Sequence, residues 1–321
     1  MTRWISLIGT GGTIASVTDG AGRLSPHLQA ADLLPRGASD LPARVVPRSF
    51  LSLPSREIGP SRIFELATAI REEIEAGASA VVVTHGTDTL EETAYGLRML
   101  LPYEVPVVLT GSMRGADSAE SDGPGNLRDA LAAAAEPALA SHGVVVVMHG
   151  DIHAARWVRK MHTLSLDAFA SPGHGAIGRV VDRHVSLLAP PDPVRHTLPL
   201  TRPPDKRVAL LWSVGDDDAF AVDRIAAGLD GLVVAALGAG HVSARTAQAL
   251  KRLAERCPVV LASRCGAGPV LAQTYGGPGS ESDLLSAGLV PAGLLDPIKC
   301  RLRLVLGLSA GMRGTELFPV V

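Results

Sequence analysis

The sequence predicts an α/β protein with two α/β domains, a larger N-terminal one built on a parallel sheet and a smaller C-terminal one. Short apolar runs alternate with helix-like segments along most of the 321 residues, a pattern typical of βαβ units. Aromatic residues make up only 3% of the chain. Ala, Val, Leu and Ile must therefore form the core, as in a sheet covered by Ala- and Leu-rich helices. A proline-dense stretch separates two such alternating regions.

The N-terminal domain begins with an apolar strand, Trp4–Gly9, which leads into the segment Ser16–Pro26. That segment is rich in turn residues and lacks apolar periodicity, so we expect a flexible loop there. Pro60–Ala76 is predicted to be a helix because its apolar residues fall on one face. The other predicted elements are strands at Ala80–Thr84, Val105–Thr110 and Gly143–His149, and helices at Leu90–Leu101 and Gly125–Ala135.

The stretch Ala189–Lys206 is the most proline-dense in the chain. Proline cannot donate to a sheet ladder and stiffens extended backbone, so we place an interdomain linker at 191–206, between domains at 1–190 and 207–321. Strand–helix alternation resumes after the linker, which predicts a Rossmann-like C-terminal domain. Its predicted strands are Val208–Ser213, Leu232–Leu237 and Val259–Ser263, and its predicted helices are Ala219–Gly228, Ala244–Arg256 and Pro297–Leu308.

Composition and motif spacing exclude several function classes. The formal net charge is −2 and no cluster of Lys and Arg is interleaved with aromatic residues, so no nucleic-acid partner is expected. The cysteines Cys257, Cys265 and Cys300 form no C-x-x-C pair, and the ten histidines form no H-E-x-x-H motif; we predict no metal and no cofactor. No apolar stretch reaches the ~20 residues that span a bilayer. The chain starts at Met1 directly before a strand pattern, so we expect a cytoplasmic protein without membrane association.

Two threonines in glycine turns, Thr13 and Thr87, follow the predicted strands Trp4–Gly9 and Ala80–Thr84. The carboxyl ends of parallel strands are where α/β sheets hold ligands. The turn at Thr13 lacks the third glycine of a dinucleotide-binding G-x-G-x-x-G motif and the ending of a P-loop. A tight turn closed by a capping threonine is the simpler interpretation of either turn alone. Two such hydroxyls with a carboxylate beside them favour acyl-transfer chemistry instead.

A threonine hydroxyl needs a neighbouring base to act as a nucleophile at neutral pH. Asp88 follows Thr87 directly, and Lys160 lies in a basic run after another predicted strand. A lysine held beside a carboxylate can serve as such a base, and glycine-turn N–H groups can stabilise an oxyanion. Taken singly, Asp88 is more simply a helix cap and Lys160 a solvated charge. The chain has no G-x-S-x-G nucleophile elbow.

Five strings resemble motifs of the bacterial-type L-asparaginases, and the likeness runs the length of the chain. They are T-G-G-T-I-A at Thr10–Ala15, V-V-V-T-H-G-T-D-T-L-E-E-T-A-Y at Val81–Tyr95, L-T-G-S-M-R at Leu109–Arg114, S-D-G-P-G-N-L at Ser121–Leu127 and the G-D-x-x-x-A-R-x-x-x-K run that ends at Lys160.

The resemblance implies hydrolysis of L-asparagine, without a cofactor, in a homodimer or homotetramer whose active sites form between subunits. It gives Thr13 the role of the acylated nucleophile and Thr87, Asp88 and Lys160 the role of a second triad. Asp88 is also implied to bind the substrate α-ammonium and Ser55 the α-carboxylate, while Glu281 is implied to enter a neighbouring subunit's site. The full set of implied substrate-binding residues is Gly12, Ser55, Arg56, Gly86, Ser112, Ser243 and Glu281.

Three positions depart from the family pattern. The loop Ser16–Pro26 lacks the tyrosine that normally bonds the nucleophile, so either Thr18 or Ser25 replaces it or Thr13 depends on the second triad. Arg56 stands where a glutamine often holds the substrate amine, and Ser243 stands where relatives place an asparagine. Alternative functions are therefore the hydrolysis of glutamine or of another asparaginyl amide, and a non-catalytic member that binds aspartate or asparagine.

Overall fold

The structure is a computed structural model that describes residues 3–34, 43–102, 105–191 and 197–318. The chain divides into two compact units, residues 1–197 and residues 198–321. The predicted linker at 191–206 contains residues 192–196, which lie outside the described residues. The two units are described separately below.

The first unit contains twelve strands and three α-helices among its described residues. The strands are β1 (Trp4–Gly11), β2 (Ser16–Thr18), β3 (Leu24–Pro26), β4 (Arg44–Leu53), β5 (Ala80–Thr84), β6 (Val107–Thr110), β7 (Val144–Met148), β8 (Asp151–Ala154), β9 (Arg159–Lys160), β10 (Phe169–Ala170), β11 (Gly178–Val181) and β12 (His184–Leu187). The helices are α1 (Pro60–Glu75), α2 (Leu90–Leu100) and α3 (Gly123–Ala134). Short 3₁₀ helices lie at Thr13–Ala15, Ser55–Glu57 and Pro137–His142.

Eight of these strands form one sheet in the order β12-β11-β8-β7-β6-β5-β1-β4. The five strands from β7 to β4 are parallel, whereas β8, β11 and β12 add antiparallel pairs at one edge. The predicted parallel sheet is confirmed in these five strands. The carboxyl ends of β1, β5 and β6 are adjacent, which brings the turns that follow them to the same edge of the sheet.

Two parts of the first unit differ from the sequence prediction. Arg44–Leu53, for which no element was predicted, forms the parallel edge strand β4. The strand contains Pro47, which an edge strand tolerates because one side of its backbone needs no partner. The predicted loop Ser16–Pro26 folds back as the antiparallel hairpin β2–β3. A residue that is distant in sequence stabilises the hairpin: Ala116 N–H donates to the Ser16 carbonyl at 2.8 Å. Such a contact cannot be predicted from the apolar periodicity of the segment itself.

The central sheet is covered on its faces by apolar helix surfaces. Strand β5 is buried at all five positions, as expected of a strand covered on both faces. Helix α2 is buried at nearly every position and contributes Tyr95, one of the largest fully buried side chains of the described residues. Aliphatic residues supply most of the remaining core, which explains how a chain with so few aromatic residues fills it.

The second unit contains a four-stranded parallel sheet in the order β13-β14-β15-β16. Its strands are β13 (Val208–Trp212), β14 (Gly231–Ala236), β15 (Val259–Ser263) and β16 (Val290–Pro291), and its helices are α4 (Phe220–Ile225), α5 (Ala244–Ala254), α6 (Glu281–Ser286), α7 (Pro297–Ser309) and α8 (Gly314–Leu317). Helix α4 is shorter than the predicted Ala219–Gly228, and α6 and β16 were not predicted. Helix α7 begins where the sequence indicated, because the Asp296 carboxylate caps the N–H groups of Ile298 and Lys299.

Among the described residues no helix is both long and apolar enough to cross a membrane. The three cysteines, Cys257, Cys265 and Cys300, are free thiols.

We predict that Leu7→Ala lowers the free energy of unfolding by about 2–5 kcal/mol, because Leu7 on β1 is fully buried and the truncation leaves a cavity in the central sheet. Leu164→Ala is the matched control, since Leu164 is 80% exposed, and should change stability by less than about 0.5 kcal/mol. Urea unfolding followed by circular dichroism measures both. Equal effects of the two substitutions would show that β1 is not a core strand.

Candidate active site

The two glycine turns of the sequence touch through their backbones. Gly12 has a φ of 79°, a backbone conformation that residues other than glycine rarely adopt. A Cβ atom on Gly12 would lie 2.3 Å from both the Cα and the N of Gly86. The turn after β1 and the turn after β5 can therefore approach only because both positions are glycine. This contact places Thr13 and Thr87, each the next residue in its turn, at the same edge of the sheet.

Thr13 opens the 3₁₀ helix Thr13–Ala15 and is partly exposed. The helix is anchored on both sides of Thr13: Gly12 N–H donates to the Leu53 carbonyl at 3.1 Å, and the Ser16 hydroxyl donates to the Gly12 carbonyl at 2.8 Å. Ile14, the next residue, is buried. The Thr13 hydroxyl makes no hydrogen bond to any residue that the structure describes, so it remains available to a ligand. Because Gly12 N–H is already bonded, it does not supply the oxyanion donor that the sequence suggested for this turn.

Thr87, Asp88 and Lys160 meet as the sequence predicted. Lys160 Nζ lies 2.9 Å from Thr87 Oγ1 and 2.7 Å from Asp88 Oδ1. The Lys160 side chain is only 16% exposed, whereas that of Asp88 is 70% exposed. A lysine ammonium can only donate, so Thr87 Oγ1 is the acceptor and its own hydrogen is free to point elsewhere. Strand β9 holds this lysine in place, because Lys160 N–H donates to the carboxylate of the buried Glu91.

Ser55 lies directly against the contact between the two turns. It is 5% exposed, and a Cβ atom on Gly86 would lie 2.8 Å from its Oγ. The Thr89 hydroxyl donates to the Ser55 carbonyl at 2.7 Å and fixes the 3₁₀ turn that carries it. Arg56 points to the neighbouring Glu57, with 3.6 Å between Nε and Oε1, and both side chains are largely exposed. The guanidinium is thus paired with a carboxylate of the chain itself.

His85 is a residue of this edge that the sequence analysis did not single out. It is fully buried, its Nδ1 lies 2.8 Å from the Gly86 carbonyl and its Nε2 lies 3.0 Å from the Thr93 hydroxyl. Because a carbonyl only accepts, Nδ1 carries the hydrogen and Nε2 accepts from Thr93. Burial lowers the pKa of His85 to about 4, so the ring is neutral at physiological pH and supports the backbone next to Thr87. The string H-G-T-D-T was the available signal.

A carboxylate–amide pair organises the turn that follows β6. The Asp122 carboxylate accepts from Met113 N–H, Arg114 N–H and the Asn126 amide at 2.9–3.1 Å. Asn126 in turn donates to the Gly111 carbonyl and accepts from His149 N–H, each at 3.0 Å. Ser112, inside this turn, is fully buried and its hydroxyl donates to the Arg114 carbonyl at 2.7 Å. The motif S-D-G-P-G-N therefore holds together the ends of β6 and β7.

The hairpin β2–β3 follows the Thr13 helix directly and carries no tyrosine. His27 N–H and Leu28 N–H both donate to the Ala15 carbonyl, at 2.9 and 3.0 Å, so the end of the hairpin is tied to the Thr13 helix. Ser25 Oγ lies 2.8 Å from His27 Nε2. Thr18, the other residue considered as a replacement for the tyrosine, donates its N–H to Asp117 at 2.8 Å.

Ser243 and Glu281 lie in the second unit, where their own unit already satisfies their polar atoms. Ser243 is the N-cap of α5, accepting from Thr246 N–H at 3.1 Å and donating to the Asp217 carbonyl. Glu281 is fully buried and accepts from the N–H groups of Thr274 and Tyr275 at 2.8 and 2.7 Å. His241 Nε2 lies 3.2 Å from the other carboxylate oxygen.

The Glu281 carboxylate is held in its charged form. Burial opposes ionisation, but the N–H groups of Tyr275 and Thr274 and the ring of His241 outweigh it and lower the pKa of Glu281 to about 2. Tyr275 contacts His241 edge to face, with 4.8 Å between ring centroids. Among the residues that the structure describes, no group of three or more His, Cys, Asp or Glu side chains is arranged to hold a metal ion.

Comparison with known families gives two matches that together span most of the chain. Residues 4–193 match the family model described as Asparaginase, N-terminal, and residues 207–318 match the Glutaminase/Asparaginase C-terminal domain.

Individual relatives agree with these matches. The chain is 42% identical to the probable L-asparaginase of Deinococcus radiodurans, over 96% of this chain and 93% of that protein. It is 34% identical to a subunit of the Glutamyl-tRNA(Gln) amidotransferase of Haloquadratum walsbyi, over 95% of this chain and 71% of that protein. The solved structure of a probable cytoplasmic L-asparaginase from Campylobacter jejuni superposes with a TM-score of 0.83 at 30% identity and covers 98% of both chains.

We predict that Glu281→Gln makes the free energy of unfolding depend less on pH in the acidic range. The pKa of Glu281 is about 2 in the folded chain against an ordinary 4.5. Its contribution is therefore fully present above pH 4.5 and is lost as the pH falls through about 2. Urea unfolding midpoints measured across this range should fall less steeply for Glu281→Gln than for the wild type. The matched control is Glu75→Gln on the exposed end of α1, which should keep the wild-type slope; an unchanged slope in Glu281→Gln contradicts the assignment.

Proposed function

The chain belongs to the asparaginase family, and from this premise we propose that it hydrolyses L-asparagine to L-aspartate and ammonia through an acyl-enzyme on Thr13. The observation that carries the proposal is the bonded set Thr87, Lys160 and Asp88 beside the Gly12–Gly86 contact. That arrangement brings a free threonine hydroxyl and a lysine-bound threonine hydroxyl to one sheet edge.

The environments of the two hydroxyls favour different roles for them. Thr87 Oγ1 already accepts a hydrogen bond from Lys160 Nζ, which draws electron density from the oxygen and makes it a poorer nucleophile. Thr13 Oγ1 has no such partner among the described residues and sits at a partly exposed turn. Thr13 is therefore the better candidate to attack, and Thr87 the better candidate to move a proton.

In the acylation step, one proton is transferred and a carbon–oxygen bond replaces the carbon–nitrogen bond of the amide. The Thr13 oxygen attacks the side-chain amide carbon of asparagine while its proton passes through the Thr87 hydroxyl to the amide nitrogen. The carbon–nitrogen bond then breaks and ammonia leaves. Negative charge that develops on the amide oxygen needs donors, and the N–H groups of Gly86 and Thr87 have no acceptor among the described residues, which makes them the best candidates for this role.

The hydrolysis step restores the enzyme. Water attacks the carbon of the Thr13 ester, and its proton returns through the Thr87 hydroxyl to the Thr13 oxygen as the carbon–oxygen bond breaks. Aspartate leaves with the water oxygen in its new side-chain carboxyl group, which releases the second water proton to the solvent or to the departed ammonia. Throughout both steps the positive charge of Lys160 stabilises the Thr87 oxygen whenever it is partly deprotonated, and Asp88 keeps Lys160 in position.

We assign the remaining substrate contacts by chemistry. Ser55, at the junction of the two turns, suits the α-carboxylate, and Asp88 suits the α-ammonium because its carboxylate is largely exposed. The backbones of Gly12 and Gly86 form the bottom of the proposed substrate site. Ser112 lies in the turn after β6, at the same edge of the sheet. Arg56 is paired with Glu57, and this carboxylate offsets the positive charge that would otherwise repel the substrate ammonium.

The proposal includes a homodimer or homotetramer located in the cytoplasm, in which the segments of Ser243 and Glu281 complete a neighbouring subunit's site. Glu281 would supply fixed negative charge there, since its pKa of about 2 keeps it ionised at all physiological pH values. Ser243 would act through the position of the turn that it caps, because its hydroxyl is already engaged.

Glutamine is a second candidate substrate. The reason is that the hairpin β2–β3 carries no tyrosine. Smaller side chains, Ser25 and His27, stand on the hairpin that follows Thr13, and they leave more room for a longer amide than a tyrosine would. Ammonia release from asparagine, glutamine and N-substituted asparagines decides between the substrates. Binding of aspartate without turnover of any amide would instead identify a non-catalytic member.

We predict that Thr13→Ala lowers kcat for asparagine by at least about 10³-fold, because the proposed acyl-enzyme forms on the Thr13 hydroxyl. Ammonia release in a coupled assay measures the loss. Thr201→Ala, an exposed threonine of the second unit, is the matched control and should stay within about threefold of the wild type, since Thr201 is not among the proposed site residues. A Thr13→Ala protein that retains most of its activity would overturn the nucleophile assignment.

We predict that Lys160→Met lowers kcat by roughly 10²–10⁴-fold, because the Thr87 oxygen loses the charge that stabilises it. Lys160→Arg keeps the charge but changes its geometry and should retain more activity than Lys160→Met. Lys206→Met, which removes a lysine paired with Asp230 in the second unit, is the control for charge loss alone. Equal activity of the Met and Arg variants at position 160 would argue that the charge of Lys160 is not what matters.

A further inference from the structure

A cleft of about 360 Å³ lies on the first unit beside the Thr13 turn. Its apolar walls include Ile14, Leu28, Leu33 and Leu127, and its polar groups include Asp32 and Arg128. The volume falls within the usual range of small-molecule sites, which are concave, mostly apolar and furnished with a few placed polar groups.

The cleft is separate from the candidate active site. None of Thr13, Thr87, Lys160, Ser55 or Ser112 lines it. The two sites nevertheless share a wall, because Ile14 is the residue after Thr13 in the same 3₁₀ helix.

The two charged groups of the cleft have opposite signs and are exposed. Within the part of the chain that the structure describes, Arg128 forms no salt bridge, although its charge partly opposes the rise that burial causes in the pKa of the adjacent Asp129. The guanidinium therefore offers its five donors to a ligand, in a geometry that suits a carboxylate. Asp32 receives the Gln29 N–H on Oδ2 at 2.8 Å, which leaves its other oxygen able to accept from an ammonium. The opening turn of α3 also lines the cleft and favours negative charge.

We propose that this cleft binds an aliphatic L-α-amino acid as an effector. The carboxylate of the ligand lies against Arg128, its ammonium against Asp32, and its branched side chain among Ile14 and the leucines. A ligand with an apolar body and one charge of each sign matches the apolar walls and the two opposite charges that line the cleft. L-Leucine is the probe that tests it.

The contacts around the cleft connect its occupancy to the Thr13 turn. Leu28 N–H donates to the Ala15 carbonyl at 3.0 Å, so one wall is bonded to the end of the Thr13 helix. A Cβ atom on Gly123, at the start of α3, would lie 3.0 Å from Ile14 Cγ1, so this lining residue also packs directly on the Thr13 helix. A ligand that fills the space between these walls restrains Ile14 and with it Thr13. This effector role rests on the proposed function, whereas binding to the cleft does not.

The first arm of the test measures binding without turnover. Isothermal titration calorimetry of the Thr13→Ala protein with L-leucine should show binding at one site per chain. Saturating aspartate is present so that the candidate active site is already occupied. Arg128→Gln and Asp32→Asn should each weaken this binding by roughly tenfold, and 4-methylpentanoate, which is leucine without its amino group, should bind about as weakly as leucine binds to Asp32→Asn. Arg44→Gln, an exposed arginine on β4, is the matched control and should leave the affinity unchanged.

The second arm measures the effect on asparagine turnover by the wild type. Saturating L-leucine should change KM for asparagine by at least about twofold, and the change should disappear in Arg128→Gln. Absence of leucine binding, or equal binding by Arg128→Gln and Arg44→Gln, overturns the site. Binding with an unchanged KM overturns the effector role. A chain without any asparaginase activity would contradict the proposed function, and the titration would still decide the site.

Discussion

The close approach of Gly12 and Gly86 is the constraint on which the rest of the candidate site depends. A side chain at either position would overlap the opposite turn or Ser55, with distances of 2.3 and 2.8 Å for a hypothetical Cβ. Adjacent parallel strands β1 and β5 bring the two turns to one edge, but only the absence of side chains lets their backbones touch. Two threonines from turns that are far apart in sequence thereby share one site, and their separation is set by backbone rather than by flexible side chains.

The groups around this contact give the two hydroxyls unequal roles. Lys160 bonds both Thr87 and Asp88, while the contacts that hold the Thr13 helix leave the Thr13 hydroxyl open. A neutral, buried His85 supports the turn of Thr87 from below, and the Asp122–Asn126 pair orders the third turn. The hydrogen bonds of His85, Asp122 and Asn126 hold these turns in place, and such preorganisation lets a site stabilise a transition state without rearranging.

The sequence predicted most of the fold because buried parallel strands such as Ala80–Thr84 are continuous apolar runs. It missed β4, which pairs with the distant strand β1, and the hairpin β2–β3, which Ala116 and Asp117 hold from a distant part of the chain. The meeting of Thr87, Asp88 and Lys160 was predictable because their motifs follow strands of one sheet. The burial and tautomer of His85 were not, since they depend on Thr93 and on how α2 packs. Nor did the sequence show that Ser243 and Glu281 are satisfied within their own unit.

The central claim is that Thr13, and not Thr87, carries the acyl group. Acid quenching of the wild-type enzyme during turnover of asparagine, followed by proteolysis and mass spectrometry, tests it most directly. The account predicts an aspartyl ester on the peptide that contains Thr13, and fragmentation should place the ester on that residue. The same ester on Thr87, with the Thr13 peptide unmodified, would contradict the account and exchange the roles of the two threonines.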